Sequence, residues 1–324
     1  MYNLKLGIFG VGNWGKNHLK TAAQLFEHKN IFVYDPGRNT PDVVNAVSKD
    51  INIVNNVSDI LNNPEISAVI IATPASTHYY IAKEALLAGK HCLVEKPITL
   101  YSSEAKELAD IAEKKNLRLM VGHVLLYHGA IIRIKEEIGE NKMLGDIQYI
   151  YSNRLNLGKV RTEENSLWSF APHDISIIQY LISENPVSVT ASGASVLQEH
   201  IEDSTITVMK YPGNISAHIF VSWLHPFKEH RLVVIGTNGM FVFEDSAPEN
   251  KLIFYKKGFR KVDGKLEPFN EASEVIMYEN HPPLMEEHKH FFDCILNGTR
   301  PLSDGIHAVE VLHILESAQK GLGK

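Results

Sequence analysis

The sequence predicts a two-domain α/β protein, with a doubly wound parallel sheet at the N-terminus and a C-terminal α+β domain built on a mostly antiparallel, open sheet. Short apolar runs alternate with amphipathic stretches as far as residue 122, and a glycine-rich turn follows the first run. Segments with period-two alternation dominate residues 188–236. The first pattern is typical of parallel sheets and the second of antiparallel sheets. The 324 residues are enough for two domains, which we expect to span 1–122 and 123–324.

The apolar runs of the first domain are candidate parallel strands. They read LKLGIF, IFVY, INIV, SAVIIA, HCLVE and LRLMVG, and helical patterns lie between them. One of these patterns, STHYYIAKEALLA, has Ser76 or Thr77 as its expected cap and Gly89 as its expected stop. This order of strands and helices predicts a doubly wound sheet.

The second domain changes pattern after residue 122. We expect helices near 128–138 and 172–182, a strand near 146–155, and further strands as far as about residue 256. The end, from Pro283, returns to helical patterns that could pack on either domain. An alternating sheet can leave one apolar face uncovered by helices, so we expect a homodimer or homotetramer that forms through this sheet.

Composition limits the classes of protein to consider. The net charge of −6 gives no broad basic surface for nucleic acid, and the N-terminal residues MYNLKLGIFG lack the features of a secretion signal. No apolar run is long enough to span a bilayer, so we expect a cytoplasmic protein without a membrane partner. Cys92 and Cys294 are too few for a disulfide framework or a zinc site, and both are expected to be buried.

A glycine loop follows the first candidate strand. The segment GIFGVGNWGKNH has the spacing G-x-G-x-x-G directly after a strand and at the start of a helix. The glycines could simply make a tight turn. Asp35 closes IFVYD twenty residues after Gly15, as expected where a carboxylate binds the adenosine ribose and the loop holds a pyrophosphate. This context favours a Rossmann domain, whose loop candidates for cofactor binding are Gly10, Val11, Gly12, Asn13, Trp14 and Gly15.

Asp35 also predicts which dinucleotide binds. Its charge would repel a 2′-phosphate and accept hydrogen bonds from free ribose hydroxyls, so NAD is favoured over NADP. Arg38 is the counter-argument, because a guanidinium could neutralise that phosphate; the alternative is an exposed loop charge.

Lys96 follows the fifth apolar run, at the carboxyl end of a strand, where doubly wound sheets bind ligands. It could be a solvated lysine. Beside a nicotinamide, its ammonium could instead hydrogen-bond a substrate oxygen and stabilise charge that develops during hydride transfer. The segment ATPASTH ends the fourth run in the same way, so Thr73, Pro74 and His78 are candidates for the cofactor cleft.

His173 is the candidate general base. In SLWSFAPHDISIIQYLI, Pro172 is expected to begin a helix, which places His173 in the first turn. A helix N-terminus disfavours imidazolium and suits a base that takes a hydroxyl proton, whereas Asp174 would favour the charged form. A histidine that only caps or packs the helix end is the alternative.

A second histidine cluster, HPPLMEEHKHFF, contains His281, Glu286, His288 and His290. Metal-binding histidines on one helix face usually lie four residues apart, whereas 288 and 290 lie on different faces. We therefore expect an amphipathic helix with polar histidines and no metal site.

With these residues, the chain resembles the Gfo/Idh/MocA family of NAD(P)-dependent oxidoreductases over essentially its whole length. The resemblance rests on GIFGVGNWG, on ATPASTHYYIAKEALLAGKHCLVEKPIT and on the histidine helix of the second domain. It implies that Lys96 of E-K-P and His173 act at the reacting carbinol, with Glu95 beside the cofactor. The family's aspartate, four residues before the histidine, falls on Ser169, so either Ser169 or Asp174 would have to replace it.

The form LWSFAPHDISI looks most like the branch of the family that acts on nucleotide-linked sugars of surface-polysaccharide pathways. A diphosphate needs cations and donors, and the segment SNRLNLGKVRTEEN offers several; an ordinary basic loop is the alternative. The substrate-binding candidates are Tyr127, Arg154, Asn156, Lys159, Arg161, Ser169, His173 and Asp174, together with Lys96. His123 could also face the sugar, and it and Tyr127 could equally be core residues.

The resemblance leads us to expect an enzyme that transfers hydride between a sugar carbinol and NAD, at C3 of a nucleotide sugar such as a UDP-N-acetylhexosamine. A reductase of 3-keto sugars and a dehydrogenase of inositols or free sugars are alternatives within the same class. A dinucleotide-sensing regulator without turnover is the alternative from another class. Lys96 and His173 argue against the regulator, while serine at position 169 argues for it.

Overall fold

A computed structural model of the chain describes residues 1–139 and 142–323. The helices are α1 Gly15–Leu25, α2 Thr40–Asn45, α3 Val57–Leu61, α4 Ala75–Leu87, α5 Ser102–Lys114, α6 Gly129–Gly139, α7 Ser166–Ile182, α8 Pro283–Asn297 and α9 Gly305–Gly321. The strands are β1 Lys5–Phe9, β2 Ile31–Tyr34, β3 Asn52–Ile53, β4 Ile66–Ile71, β5 His91–Glu95, β6 Leu119–Gly122, β7 Ile147–Leu157, β8 Ser188–Ala194, β9 Ser204–Lys210, β10 Ser216–Ser222, β11 Leu224–Gly236, β12 Met240–Glu244, β13 Leu252–Tyr255, β14 Lys257–Val262, β15 Lys265–Asn270 and β16 Glu274–Val275. None of the helices in the described part of the chain is both long and apolar enough to cross a membrane.

The chain divides into two compact units. The first comprises Met1–Val124 and Pro282–Leu312, and the second comprises Leu125–His281 and the chain from His313 onward. This division differs from the expected domains in one respect, because residues 282–312 pack with the first unit. The sequence pattern identified these residues as helical but could not show which sheet their apolar faces cover.

The first unit contains a six-stranded parallel sheet in the order β3-β2-β1-β4-β5-β6. Its central strands are buried on both faces, with Leu6, Ile8 and Val69 fully buried, which explains their almost continuous apolar sequences. The strand order reverses beside β1, between β2 and β4, so the carboxyl ends of β1 and β4 flank the position where such sheets bind ligands. The prediction of a doubly wound sheet is confirmed.

Helix α4 begins differently from the prediction. Its N-cap is Pro74 and not Ser76 or Thr77, and the Thr77 hydroxyl donates to the Pro74 carbonyl at 2.7 Å. The observed cap thus lies two residues before Ser76 and three before Thr77. Gly89 follows the helix with φ +80°, a conformation that favours glycine, so the predicted stop is confirmed.

The second unit is built on an eight-stranded sheet in the order β16-β13-β12-β11-β7-β10-β9-β8. Neighbouring strands are antiparallel except β7 and β10, which are parallel. The prediction of a mostly antiparallel sheet is confirmed. Helix α7 packs against β10, β7 and β9. Ile206 of β9 remains 47% exposed, and the expectation of a homo-oligomer stays a prediction.

Helix α7 begins at Ser166, six residues earlier than expected, so Pro172 lies inside the helix and not at its start. The side chain of Asn165 caps the helix by accepting a hydrogen bond from the Trp168 amide at 3.2 Å. An interior proline cannot donate to the preceding turn, and the buried face of the helix outweighs that cost. The placement of His173 in the first turn was therefore wrong.

Strands also continue beyond residue 256, in a hairpin of β14 and β15. Asp263 and Gly264 form its turn with φ values of +48° and +81°. An Asp-Gly pair between two strand-like segments is a strong hairpin signal that the sequence interpretation missed. Cys92 and Cys294 are both buried and unpaired, as predicted.

His91 makes stability depend on pH. Its Nδ1 accepts a hydrogen bond from the Arg118 amide at 2.8 Å, and burial, with the charge of Arg118, lowers the pKa of His91 to about 4. As the pH falls, His91 is protonated near pH 6.5 in the unfolded chain but only near pH 4 in the folded chain. The free energy of unfolding should therefore fall as pH drops through this window, by about 1–2 kcal/mol for a partly buried group.

The matched variant is His91→Gln, because a side-chain amide oxygen can accept the same hydrogen bond but cannot be protonated. Denaturant unfolding at several pH values should show a shallower loss of stability in the variant than in the wild type. Identical pH slopes in the two proteins would contradict the role of His91.

Candidate functional site

The glycine loop joins β1 to α1 and has the backbone of a phosphate cradle. Gly10 has φ +88°, and a Cβ there would approach the Ala72 carbonyl oxygen at 2.7 Å. A Cβ at Gly15 would come within 2.1 Å of the Gly10 carbonyl oxygen, whereas one at Gly12 would meet no atom within 4 Å. Two of these glycines are thus required by close packing, and the third leaves open space beside the start of α1. The start of α1 has no side-chain cap in the described structure, which suits an anion.

Asp35 follows β2 and is tied to this loop. Its Oδ2 accepts a hydrogen bond from the Val11 amide and its Oδ1 accepts one from the Gly37 amide, each at 2.7 Å. Each oxygen retains a second lone pair that can accept a hydrogen bond from a ribose hydroxyl. Arg38 is exposed in the turn that follows, and Asn13 and Trp14 are exposed in the loop. These positions fit the adenosine end of a dinucleotide.

His78 has a structural position between two strand ends. Its ring nitrogens lie 2.8 Å from the carbonyl oxygens of Thr73, which follows β4, and Pro97, which follows β5. The ring is buried and joins the two segments, so both of its polar atoms are engaged within the protein. Thr73 is half-buried and Pro74 is exposed, so these two remain candidates for lining the cleft.

Lys96 directly follows β5 and is half-buried. Its backbone amide donates to Oε2 of Glu95 at 3.1 Å. The Glu95 carboxylate also accepts hydrogen bonds at Oε1 from the Trp14 indole at 2.6 Å and from His18 at 2.8 Å. Burial alone would raise the pKa of Glu95, but His18, Lys96 and Trp14 together lower it. The negative charge of Glu95 thus lies beside the lysine and favours its ammonium form.

His123 is buried next to this position, at the end of β6. Burial, the charge of His307 and the charge of Lys96 hold the pKa of His123 well below its ordinary value. A neutral imidazole therefore adds no positive charge beside Lys96. The sequence left open whether His123 was a core residue, and the structure makes it one.

In the second unit, His173 lies in the interior of α7 and is half-buried. Ser169 precedes it by four residues, so the two side chains share one face of the helix. The helix N-terminus lies more than a turn away, so its dipole provides no particular argument about the charge of His173. The expected proximity of His173 and Ser169 does not depend on where the helix begins, because the two residues are one turn apart.

The Asp174 carboxylate is engaged by two neighbouring side chains of β7. Arg154 donates to Oδ2 at 2.7 Å and to Oδ1 at 3.0 Å, and the Ser152 hydroxyl donates to Oδ1 at 2.5 Å. Asp174 is 2% exposed, and the Arg154 side chain is 13% exposed. This is a bidentate, nearly buried ion pair that joins β7 to α7. It gives Arg154 a structural partner that the sequence interpretation did not anticipate.

The other basic residues of the segment lie in a different environment. Lys159 and Arg161 are exposed, and Arg161 lies 3.8 Å from Glu164. Asn156 is half-buried at the end of β7, and Tyr127 is buried. Lys159 and Arg161 thus remain candidates for binding phosphate.

Two residues of this unit escaped the sequence interpretation. His230 lies opposite Arg154 in the β7–β11 ladder, and burial, together with Arg154 and Lys228, lowers its pKa to about 4. Asp203 is fully buried and accepts hydrogen bonds from the Val196 and Leu197 amides and from the Trp223 indole. Cross-strand register is the signal that places His230, whereas no local pattern identifies Asp203.

The side chains of the segment HPPLMEEHKHFF lie in different environments. Within residues 1–139 and 142–323, no group of three His, Cys, Asp or Glu side chains is arranged to hold a metal. His281 is exposed, and Glu286 and His290 are half-buried. His288 is fully buried.

A doubly wound NAD-binding domain followed by an α+β domain with an open sheet defines a class of two-domain oxidoreductases. The model of the oxidoreductase family with an NAD-binding Rossmann fold, Gfo/Idh/MocA, matches residues 4–123, and the model of the Gfo/Idh/MocA C-terminal domain matches residues 136–242. The chain belongs to the Gfo/Idh/MocA family and is an oxidoreductase.

The similar proteins include sugar and polyol dehydrogenases. A UDP-N-acetylglucosamine 3-dehydrogenase from Acidithiobacillus ferrooxidans is 29% identical over 217 residues, which cover 67% of this chain and 66% of that protein. A solved structure of that enzyme has a TM-score of 0.85 at 24% identity and covers 99% of this chain and 98% of its own. A scyllo-inositol 2-dehydrogenase (NAD(+)) from Bacillus subtilis is 25% identical over 330 residues, which cover 97% of this chain and 92% of that protein.

Proposed function

We propose that the protein oxidises a secondary alcohol of a sugar, at C3 of a nucleotide-linked sugar such as a UDP-N-acetylhexosamine, with NAD as the hydride acceptor. The observation that carries the proposal is Lys96 at the carboxyl end of β5, directly after a buried glutamate that is hydrogen-bonded to the glycine loop. The choice of sugar is supported by the relative that is named a UDP-N-acetylglucosamine 3-dehydrogenase.

In this proposal Lys96 donates a hydrogen bond to the reacting oxygen. Its ammonium stabilises the negative charge that develops on that oxygen as the hydroxyl proton leaves. The charge of the neighbouring Glu95 carboxylate favours the ammonium form of the lysine, which is the form that can donate. A nicotinamide held by the first unit supplies the hydride acceptor.

We assign the general base to His173. It takes the hydroxyl proton, and Ser169, one turn earlier on the same face of α7, is the polar neighbour that can pass this proton on. Asp174 forms an ion pair with Arg154, which favours Ser169 over Asp174 for this role. Lys159 and Arg161 are exposed cations that could contact the diphosphate of the substrate.

We propose NAD as the cofactor. The Asp35 side chain accepts two backbone hydrogen bonds at the end of β2, where a 2′-phosphate would lie. Arg38 is exposed, whereas the Asp35 side chain at the same edge is held by two backbone amides. The affinity for NAD should therefore exceed that for NADP.

The test is to supply NAD or NADP with UDP- and dTDP-sugars, free hexoses and inositols, and to follow the absorbance of the reduced nicotinamide. We expect turnover with NAD and a UDP-N-acetylhexosamine to exceed turnover with free sugars and inositols. The reverse assay, with keto sugars and reduced cofactor, covers the reductase direction. Cofactor binding without turnover in any of these reactions would reject the proposal and favour a regulatory protein.

A further inference from the structure

A chain of four side chains extends behind Lys96 within the first unit. The Trp14 indole and Nε2 of His18 both donate to Oε1 of Glu95, at 2.6 and 2.8 Å. Nδ1 of His18 then lies 2.8 Å from Nε2 of His288, in helix α8. The chain thus runs from the glycine loop through Glu95 and His18 to a helix that is distant in sequence.

Burial isolates the two histidines of this chain from solvent. His18 and His288 are both 0% exposed, and the two rings stack with centroids 5.1 Å apart. A Cβ at Gly122 would come within 2.8 Å of Glu95 Oε1, so the glycine at the end of β6 leaves the space that the carboxylate occupies. Buried polar groups are costly unless they are paired, so the pairing in this chain is part of what fixes its geometry.

In the arrangement in which Glu95 is ionised and neither ring carries a charge, the position of each proton is fixed. An ionised carboxylate only accepts hydrogen bonds, so Nε2 of His18 must carry its proton and Nδ1 must be an acceptor. Nε2 of His288 must then donate to it, which leaves Nδ1 of His288 unprotonated. Burial and the neighbouring His18 hold the pKa of His288 well below its ordinary value, in agreement with a neutral ring.

Glu287, next to His288 in the sequence, is a second buried carboxyl group near Glu95. It is 0% exposed, and neither of its oxygens has a hydrogen-bond partner among the described residues. Burial and the charge of Glu95 raise the pKa of Glu287 well above its ordinary value, which favours its neutral form. Of these two buried carboxyl groups, only Glu95 has donors, and it carries the negative charge.

We propose that His18 and His288 are positioning residues, which hold the Glu95 carboxylate ionised and oriented so that one anion fixes both the glycine loop and the backbone of Lys96. The inference rests on the proposed function in that Lys96 is taken to act on the substrate. The Glu95 oxygens divide the task, since Oε1 holds Trp14 and His18 and Oε2 holds the Lys96 amide. Displacement of this anion by about 1 Å would move the lysine and could lower turnover about 100-fold.

The first experiment determines which ring nitrogen of each histidine carries the proton. NMR of ¹⁵N-histidine-labelled protein at about pH 8.5, above the ordinary histidine pKa of about 6.5, distinguishes the two neutral tautomers. Signals are assigned with His18→Gln and His288→Gln. We expect both His18 and His288 to carry the proton on Nε2. A proton on Nδ1 of either neutral ring would overturn the proposed direction of the chain.

The second experiment compares two replacements of one ring. In His288→Gln the amide can still donate to Nδ1 of His18, whereas in His288→Leu the donor is lost. We expect the leucine variant to lose about 10- to 100-fold in kcat with KM for the sugar changed little, and to bind NAD several-fold more weakly. The glutamine variant should recover most of both losses. Glu287→Gln, which replaces a neutral acid by a neutral amide, is the control and should resemble the wild type.

A folded His288→Leu protein with unchanged kcat and NAD affinity would overturn the proposal, and so would a glutamine variant as impaired as the leucine variant. NAD affinity is measured by tryptophan fluorescence and the tautomers by NMR, and neither needs a substrate. If no sugar is turned over, the proposed function fails, while these two readouts still decide the role of the histidines.

Discussion

We expect Lys96→Ala to lower kcat by about 100- to 1,000-fold, because it removes the donor to the oxygen on which negative charge develops. Affinity for NAD should stay within a few-fold of the wild type. Lys96 contacts Glu95 through its backbone amide, which the substitution retains, so the glycine loop keeps its hydrogen bond from Trp14 to Glu95. The loss should therefore appear in kcat and not in cofactor binding.

The measurement combines steady-state kinetics with fluorescence titration of NAD. Lys106→Ala is a suitable control, because this lysine is exposed on α5 and pairs only with Asp110 one turn later among the interactions described. The control should retain wild-type turnover. Unchanged turnover in Lys96→Ala would remove the lysine from the chemistry, and a loss of NAD affinity as large as the loss of kcat would give it a cofactor-binding role instead.

The second prediction with a large effect concerns the stability that the Arg154–Asp174 ion pair gives the second unit. Arg154→Met should lower the free energy of unfolding by about 3–5 kcal/mol, because it leaves the buried Asp174 carboxylate without its cation. Replacing both partners by apolar residues, in Arg154→Met with Asp174→Leu, should recover most of the loss. Denaturant unfolding of the single and double variants measures the coupling.

Arg161→Met is the matched control, because its guanidinium is exposed and only 3.8 Å from Glu164. We expect it to change stability by less than about 0.5 kcal/mol. If instead Arg154→Met leaves stability unchanged and raises KM only for substrates with a diphosphate, Arg154 is a phosphate ligand, as the sequence pattern first suggested.

The first unit was predictable because its signals are local. Each buried parallel strand is a short apolar run, and the glycines of the loop lie where β1 turns into α1. The conformations of Gly10 and Gly89 follow from local backbone geometry that glycine alone adopts easily. Lys96 at the end of β5 follows from the same reasoning, since a strand end fixes the position of the next residue.

The errors in the second unit arose where the same local sequence signal is compatible with more than one structure. Proline favours the first turn of a helix, but Pro172 lies inside α7, because Asn165 provides a better cap and a buried face continues through the proline. That error placed His173 in the field of a helix N-terminus that lies more than a turn away. An Asn-Ser pair before an apolar run was the signal that would have corrected it.

The pairings that matter most for the site could not be predicted, because they join residues far apart in the chain. His18 and His288 are 270 residues apart, and their contact depends on α8 packing with the first unit. Arg154 and Asp174 are 20 residues apart, but they meet only because α7 lies against β7. Charge and residue type indicated that Arg154 and Asp174 bind a substrate, whereas in the fold they form an ion pair with each other.

The central claim is that hydride leaves C3 of a nucleotide-linked sugar and reaches NAD. The most direct measurement uses UDP-N-acetylglucosamine with deuterium at C3 and detects the reduced nicotinamide by mass spectrometry. The account predicts that the deuterium appears on the reduced cofactor. Reduced cofactor without deuterium, or no reduction with this sugar while another substrate class is turned over, would contradict it.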